Sequence, residues 1–206
     1  MPDSFIEIPE PIDPHLRRWM LFVDGENFTC RAQQVAKSQN VSLPEGPFHL
    51  RDTFIWVPDV LGTRAVQTTE GLSIPLQPHA LRAHYYTSVV GDEEKIRGVK
   101  NDLFHIGFTP KVFKKSKTRG SKAVDIALAT DMLSHGYRNN YDVAVLFAGD
   151  GDYVPLVEEV KRIGKVVYIS FFRGSGLNNE LALASDTFMY VDEFFLGKWR
   201  EYVNVS

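Results

Sequence analysis

Trp19-Met20-Leu21-Phe22-Val23-Asp24-Gly25-Glu26-Asn27 is a run of five apolar residues that stops abruptly at an acid and a glycine. An unbroken apolar run is the pattern of a strand buried on both faces, as in a parallel sheet; a half-exposed strand alternates. The same pattern returns at Val143-Ala144-Val145-Leu146-Phe147, which passes through Ala148-Gly149 into Asp150-Gly151-Asp152. Around these two runs, residues 84–89, 109–113, 166–170 and 188–191 read as strands. Residues 28–37, 92–105, 122–135, 153–163 and 179–184 read as helices between them. Strand and helix alternating at this spacing imply right-handed crossovers, and so an α/β fold with helices on both faces of a mostly parallel sheet.

A chain of 206 residues holds one such domain comfortably. Residues 1–18, broken by Pro9, Pro11 and Pro14, read as an irregular arm, and residues 19–206 as a single domain. Within it, residues 40–80 carry Pro44, Pro47, Pro58, Pro75 and Pro78, and read as an insertion with one hairpin near Phe54–Val57. No apolar run is long enough to span a membrane, and the arm has neither the basic start nor the apolar stretch of a signal peptide. A single cysteine, Cys30, excludes an internal disulfide and fits a reducing compartment, so a cytoplasmic location is expected.

In open parallel sheets, ligands bind beyond the carboxyl ends of the strands. Asp24 and Asp150 each follow a buried strand there, with Asp152 two residues on. Asp-Gly is also ordinary turn chemistry, and Asp152 has a second reading as the cap of the helix that holds Pro155. Asp125 adds to the case. On a helical wheel of residues 122–135 it falls among Val124, Ile126, Leu128, Ala129, Met132 and Leu133, facing the core. A buried carboxylate needs a cation or a proton. The competing reading is a first-turn acid stabilised by the helix dipole. A cluster of aspartates without histidine or cysteine suits hard, oxygen-loving cations, Mg²⁺ or Mn²⁺. Asp131, at the margin of the arc, reads as a supporting group or a solvated one. Asn27 reads as a cap or as a holder of ligand water, and Glu26 as solvent-facing.

Other chemistries fit poorly. His15, His49, His79, His84, His105 and His135 show no zinc-ligand spacing, and there is no GxSxG elbow, Walker A loop or GxGxxG. Net charge is −3, which by itself speaks against a nucleic-acid partner. The average hides a basic run, Lys114, Lys115, Lys117, Arg119 and Lys122, that leads into the helix of Asp125. Such a run is either a solvated loop or a phosphate-backbone contact. Arg173 and Ser175, just past the strand at 166–170, are further candidates for phosphate contact.

Three motifs in order, Phe22-Val23-Asp24-Gly25-Glu26-Asn27, Lys122-Ala123-Val124-Asp125 with Asp131, and Ala148-Gly149-Asp150-Gly151-Asp152-Tyr153, resemble those of the NYN (LabA-like) branch of the PIN-like ribonucleases. The resemblance runs from about Trp19 to Val191. It implies a PIN-like three-layer α/β/α sandwich, a Mg²⁺ or Mn²⁺ site, and hydrolysis of RNA to a 5′-phosphate and a 3′-hydroxyl. By that likeness Asp24, Asp125, Asp150 and Asp152 are the catalytic, metal-binding quartet, and Asn27 and Asp131 support them. The chain departs from the family at Ala148, where serine is common, at Tyr153, where phenylalanine is, and at Ala123, where glycine is.

The leading expectation is therefore a metal-dependent nuclease with single-stranded RNA as its partner, no membrane attachment, and homodimer formation left open. The alternative is an RNA-binding or regulatory module that keeps the fold and cleaves little. A phosphatase-like enzyme with Asp24 as nucleophile is a third, weaker reading.

Overall fold

The computed structural model describes residues 18–57, 64–67, 73–76, 80–115, 122–173 and 176–205. In chain order these form β1 (Trp19–Asp24), α1 (Gly25–Ser38), β2 (His49–Leu50), β3 (Phe54–Ile55), β4 (Arg64–Gln67), β5 (Ser73–Leu76), β6 (Ala80–Val89) and α2 (Glu93–His105). There follow β7 (Thr109–Lys114), α3 (Lys122–Tyr137), β8 (Val143–Phe147), a 3-10 turn at Gly151–Tyr153, α4 (Val154–Arg162), β9 (Val166–Phe171), α5 (Asn179–Ala184), β10 (Thr187–Tyr190) and α6 (Asp192–Val205).

Six strands make one sheet in the order β10-β9-β8-β1-β6-β7, and every neighbouring pair is parallel. The chain starts in the middle with β1, winds outward through β6 and β7, and then returns to lay β8 on the other side of β1. Winding reverses between β1 and β8, and a crevice opens there at the strand carboxyl ends. Both unbroken apolar runs lie at this reversal.

Alternation along β1 divides the core in two. Leu21 and Val23 pack on one face with Phe28, Ala32 and Ala36 of α1, Ile96, Val99 and Leu103 of α2, and Phe195 and Trp199 of α6. Met20 and Phe22 pack on the other with Val124, Leu128 and Met132 of α3, Leu156, Val157 and Val160 of α4, and Leu181 of α5. The result is a three-layer α/β/α arrangement, as expected. Phe28 and Phe22 are fully enclosed, and burying a side chain of that size contributes about 2–3 kcal/mol.

Three findings differ from the sequence reading. The segment at 40–80 contains two antiparallel pairs, β2 with β3 and β4 with β5, where one hairpin was expected. Phe54–Val57 goes into the core against α1 instead of standing apart. A terminal helix, α6, follows the last expected strand; its apolar spacing at Phe195, Leu196, Trp199 and Tyr202 carries the helical signal. Residues 1–17 of the expected arm lie outside the described residues.

Close packing at Gly25 explains why the first strand must end as it does. A Cβ there would collide with the Tyr85 ring and come within 2.6 Å of the Tyr86 carbonyl. Gly25→Ala should therefore destabilise the protein by about 1–3 kcal/mol, the usual effect of forcing atoms into a filled core. Urea titration checks this, and unchanged stability would mean that β6 yields easily at this point.

Candidate functional site

Asp24 is the last residue of β1 and is only 4% exposed. It also caps α1: its Oδ1 accepts from the Asn27 backbone N–H at 3.1 Å. That bond satisfies one of the free N–H groups at the helix start, so the acid is held by local geometry. Asn27 does not cap the helix itself. Its side-chain Oδ1 accepts from the Gly149 N–H at 3.0 Å and ties the loop after β8 to the end of β1. Asn178 holds the same loop from the far side, donating its backbone N–H to the Gly149 carbonyl at 2.8 Å.

Within that loop, Asp150 caps the 3-10 turn by accepting from the Asp152 N–H at 3.1 Å. Asp152 lies inside the turn and is exposed; the position capping α4 is Tyr153, without a side-chain bond. The turn carries the Tyr153 ring into the core, 4% exposed, among Leu156, Val157 and Leu181. Its hydroxyl donates to Asp24 Oδ2 at 3.0 Å and lies 3.2 Å from Asp125 Oδ1. One hydroxyl thus sits between the acid of β1 and the acid of α3.

Asp125 is half-buried, not core-facing. The buried stripe of α3 runs through Val124, Leu128 and Met132, whereas Ile126 is 65% exposed. The wheel drawn from the sequence centred its arc too far toward Ile126. Asp125 consequently flanks the stripe, where it overlooks the crevice at the carboxyl edge.

The field at this corner is strongly negative. Burial first, then the charges of Asp125 and Glu26, push the Asp24 carboxyl up to about 7, against the pull of the Asn27 N–H and the Tyr153 hydroxyl. Asp125 is raised as well, by burial and then by the charges of Asp150, Glu26 and Asp152, with the Tyr153 hydroxyl opposing. Glu26 was missed by the sequence reading, which placed it in solvent. Its Oε1 accepts from Ser88 Oγ at 2.9 Å and pairs with Lys115. No local signal marks it, since its partners lie far along the chain, Ser88 near the carboxyl end of β6 and Lys115 directly after β7.

Asp131 lies further along α3 and bonds to none of these acids. Tyr86 donates to its Oδ2 at 2.9 Å, and Lys111 pairs with it at 3.5 Å. Beyond it, His84 is 3% exposed, with neither ring nitrogen bonded among the described residues. Its ring stacks on Phe22 and lies beside His135 at 5.3 Å between centroids. Burial holds the imidazole neutral and lowers its pKa to about 4.

The expected phosphate contacts are dispersed. Lys114 is exposed, and Lys115 is engaged by Glu26. Lys117, Arg119, Ser175 and the Lys122 side chain lie outside the described residues. Arg173 stacks its guanidinium over the Tyr190 ring at 4.3 Å. Ala148, at the departure from the common motif, is fully buried in the core.

Among the described residues, no three acid, imidazole or thiolate groups already stand as a ligand set for a metal ion. The donor type nonetheless suits a hard divalent cation: two carboxylates, one almost dry, face a single hydroxyl, with two exposed acids on the adjoining turn.

Comparison with known proteins agrees with this architecture. A family model described as the NYN domain matches residues 18–192. A search of curated proteins finds no match. A solved structure from Vibrio parahaemolyticus RIMD 2210633, a protein of unknown function, is 19% identical with a TM-score of 0.57. It covers 90% of this chain and 99% of its own, which is a likeness of fold.

Two buried groups give the site a pH signature. A carboxyl with a higher pKa in the folded state holds its proton better when folded, so Asp24 favours folding below about pH 4, and that favour is lost as pH rises toward 7. His84 acts oppositely: protons prefer the unfolded chain, so stability from this group rises between about pH 4 and 6.5. The two slopes overlap and offset each other. Asp24→Asn should remove one of them, leaving metal-free stability that climbs with pH across that window and exceeds wild type at pH 8. Melting temperatures across pH in a chelating buffer test this; a mutant curve parallel to wild type would show Asp24 ionising normally.

Proposed function

As the chain belongs to the NYN domain family, a family of PIN-like nucleases, we propose that it is a metal-dependent ribonuclease that hydrolyses phosphodiester bonds. The observation that carries the proposal is the Tyr153 hydroxyl between Asp24 and Asp125, which draws the acids of β1 and α3 to one point at the topological reversal. Asp24 and Asp125 would hold a Mg²⁺ or Mn²⁺ ion from the protein side, with Asp150 and Asp152 reaching in from the turn. Such an ion, when bound, supplies an activated water and stabilises charge on the phosphate.

The chain's own part is preorganisation. Gly25 and the Asp24 cap fix the first carboxylate, Asn27 and Asn178 clamp the loop of the third motif, and Tyr153 aligns the pair. Single-stranded RNA is the substrate we assign, because its backbone can enter an open crevice with its phosphates over the acids. Lys114 and Lys115 at the end of β7, with Lys117, Arg119 and Lys122 after them, and Arg173 and Ser175 after β9, are the proposed backbone contacts. We place the activity in the cytoplasm, which suits the free, exposed Cys30.

One observation favours the alternative of an RNA-binding module with little turnover: the acids do not stand as a finished ligand set. Cleavage of labelled single-stranded RNA with Mg²⁺ or Mn²⁺ decides between them. Wild type should cleave, and Asp24→Asn or Asp150→Asn should lose at least about a hundredfold in rate while remaining folded, as loss of a group that places charge for the transition state does. RNA bound without any cleavage by wild type would transfer the assignment to the binding module.

Substrate binding is separable from chemistry. Replacing Lys114, Lys115, Lys117 and Arg119 together with Ala should weaken RNA binding and flatten its salt dependence, because fewer counterions are released. The aspartate variants should keep their affinity. Binding isotherms at several salt concentrations test this, and an unchanged slope in the quadruple variant would mean that RNA approaches from another side.

A further inference from the structure

We propose that the Tyr153 hydroxyl is a positioning group that stands in for a cation between Asp24 and Asp125, and so sets how tightly this site takes a divalent metal. The inference rests on the nuclease reading of the aspartate site and concerns a group that provides no metal ligand itself.

The geometry is specific. A single O–H has one proton, yet it reaches Asp24 Oδ2 at 3.0 Å and Asp125 Oδ1 at 3.2 Å, both within hydrogen-bonding range. Asp24 has a second donor in the Asn27 N–H, which serves its other oxygen. For Asp125 the tyrosine is the donor that opposes burial and the surrounding negative charge. The hydroxyl is not free to leave. Its ring is buried in the core that also holds Leu156, Val157 and Leu181, and the Asp150-capped turn fixes the backbone that aims it. Packing needs the ring but not the oxygen, since phenylalanine fills the same volume.

The bridge acts before a metal arrives. Two carboxylates at one corner, one almost dry and the other half-buried, with Asp150, Asp152 and Glu26 nearby, repel each other unless a positive group lies between them. The hydroxyl proton is the partial positive charge available there. It lowers the free energy of the metal-free site, and, shared between the two acids, it engages carboxylate oxygens that a cation would draw on. Both effects weaken metal binding relative to the same site without the hydroxyl. The result is a folded, moderately stable protein when metal is scarce, with loading that depends on metal concentration.

The test compares wild type, Tyr153→Phe, Asp125→Asn and the double variant as full-length protein. Melting is measured with a chelator present, and MnCl₂ affinity by titration calorimetry at fixed pH. Tyr153→Phe should melt lower without metal and bind Mn²⁺ about tenfold more tightly, the scale of one hydrogen bond to a charged group. In the Asp125→Asn background the same Phe substitution should change metal-free melting much less, because one of the two acids it bridges is gone. A merely structural tyrosine would lower melting equally in both backgrounds and leave the Mn²⁺ affinity alone. Mn²⁺ bound equally or more weakly by Tyr153→Phe would overturn the role of the hydroxyl while leaving the metal site standing. Wild type that binds neither Mn²⁺ nor Mg²⁺ would remove the metal site and this inference together.

Discussion

A carboxyl group that is 4% exposed at the end of a strand buried on both faces is costly as an anion and awkward as an acid. Asp24 is that group, and the carboxyl edge of the sheet is organised around it. The glycine after it lets α1 start at once, so that an N–H of the new helix can reach back to the carboxylate. The loop after β8 is tied in by Asn27, so the turn it forms can send a tyrosine hydroxyl to the other oxygen. Remove Asp24, and the helix cap, the Tyr153 bond and the negative centre of the crevice all lose their reason together.

How much of this was legible in the sequence depends on which physical signal each element carries. The sheet was plain, because strands covered on both faces are apolar without interruption, and Trp19–Val23 and Val143–Phe147 are. That Asp24 and Asp150 both follow central strands at the carboxyl edge was legible from one rule about parallel sheets. Asp125 was drawn toward the core because the wheel counted Ile126 as buried; hydrophobicity suggests a face, and only packing against β1 and β6 determines it. Glu26 was assigned to water because its partners, Ser88 and Lys115, are 62 and 89 residues away. Partnerships at that separation leave no local pattern. The segment at 40–80 was read as a loose insertion for its prolines, yet Phe54–Val57 is core. Prolines mark where regular structure stops, not where burial does.

Along one face of β6 and β7 runs a seam of polar groups with partners from α1 and α3. From the carboxyl edge inward come Glu26 with Ser88 and Lys115, then Asp131 with Tyr86 and Lys111, then His84 beside His135. Successive residues on one face of β6, at 84, 86 and 88, supply one partner at each level, as the period of a strand requires. The seam explains why Asp131 belongs to the same helix as Asp125 without joining its site: it is the second rung, satisfied by tyrosine and lysine. At the next level, burial and then the basic groups nearby hold His84 neutral, against the opposing charge of Asp131.

Asp24 and Asp125 form the acidic centre of the carboxyl edge, and cations lie to either side of it. Lys114 ends β7 and Lys115 follows it on one flank, and Arg173 follows β9 on the other. From β7 to β9 there are four interstrand spacings, roughly 20 Å across the sheet at about 4.8 Å each. A polyanion lying along that line meets positive charge at both ends and a negative centre between them. In the proposed function the flanks would attract it at a distance, while Asp24 and Asp125 would repel any phosphate placed directly over them until their charge is compensated. On that reading, attraction at the flanks and compensation at the centre are separate requirements that fall to different residues. The net charge of −3 describes neither, because it averages over the contrast.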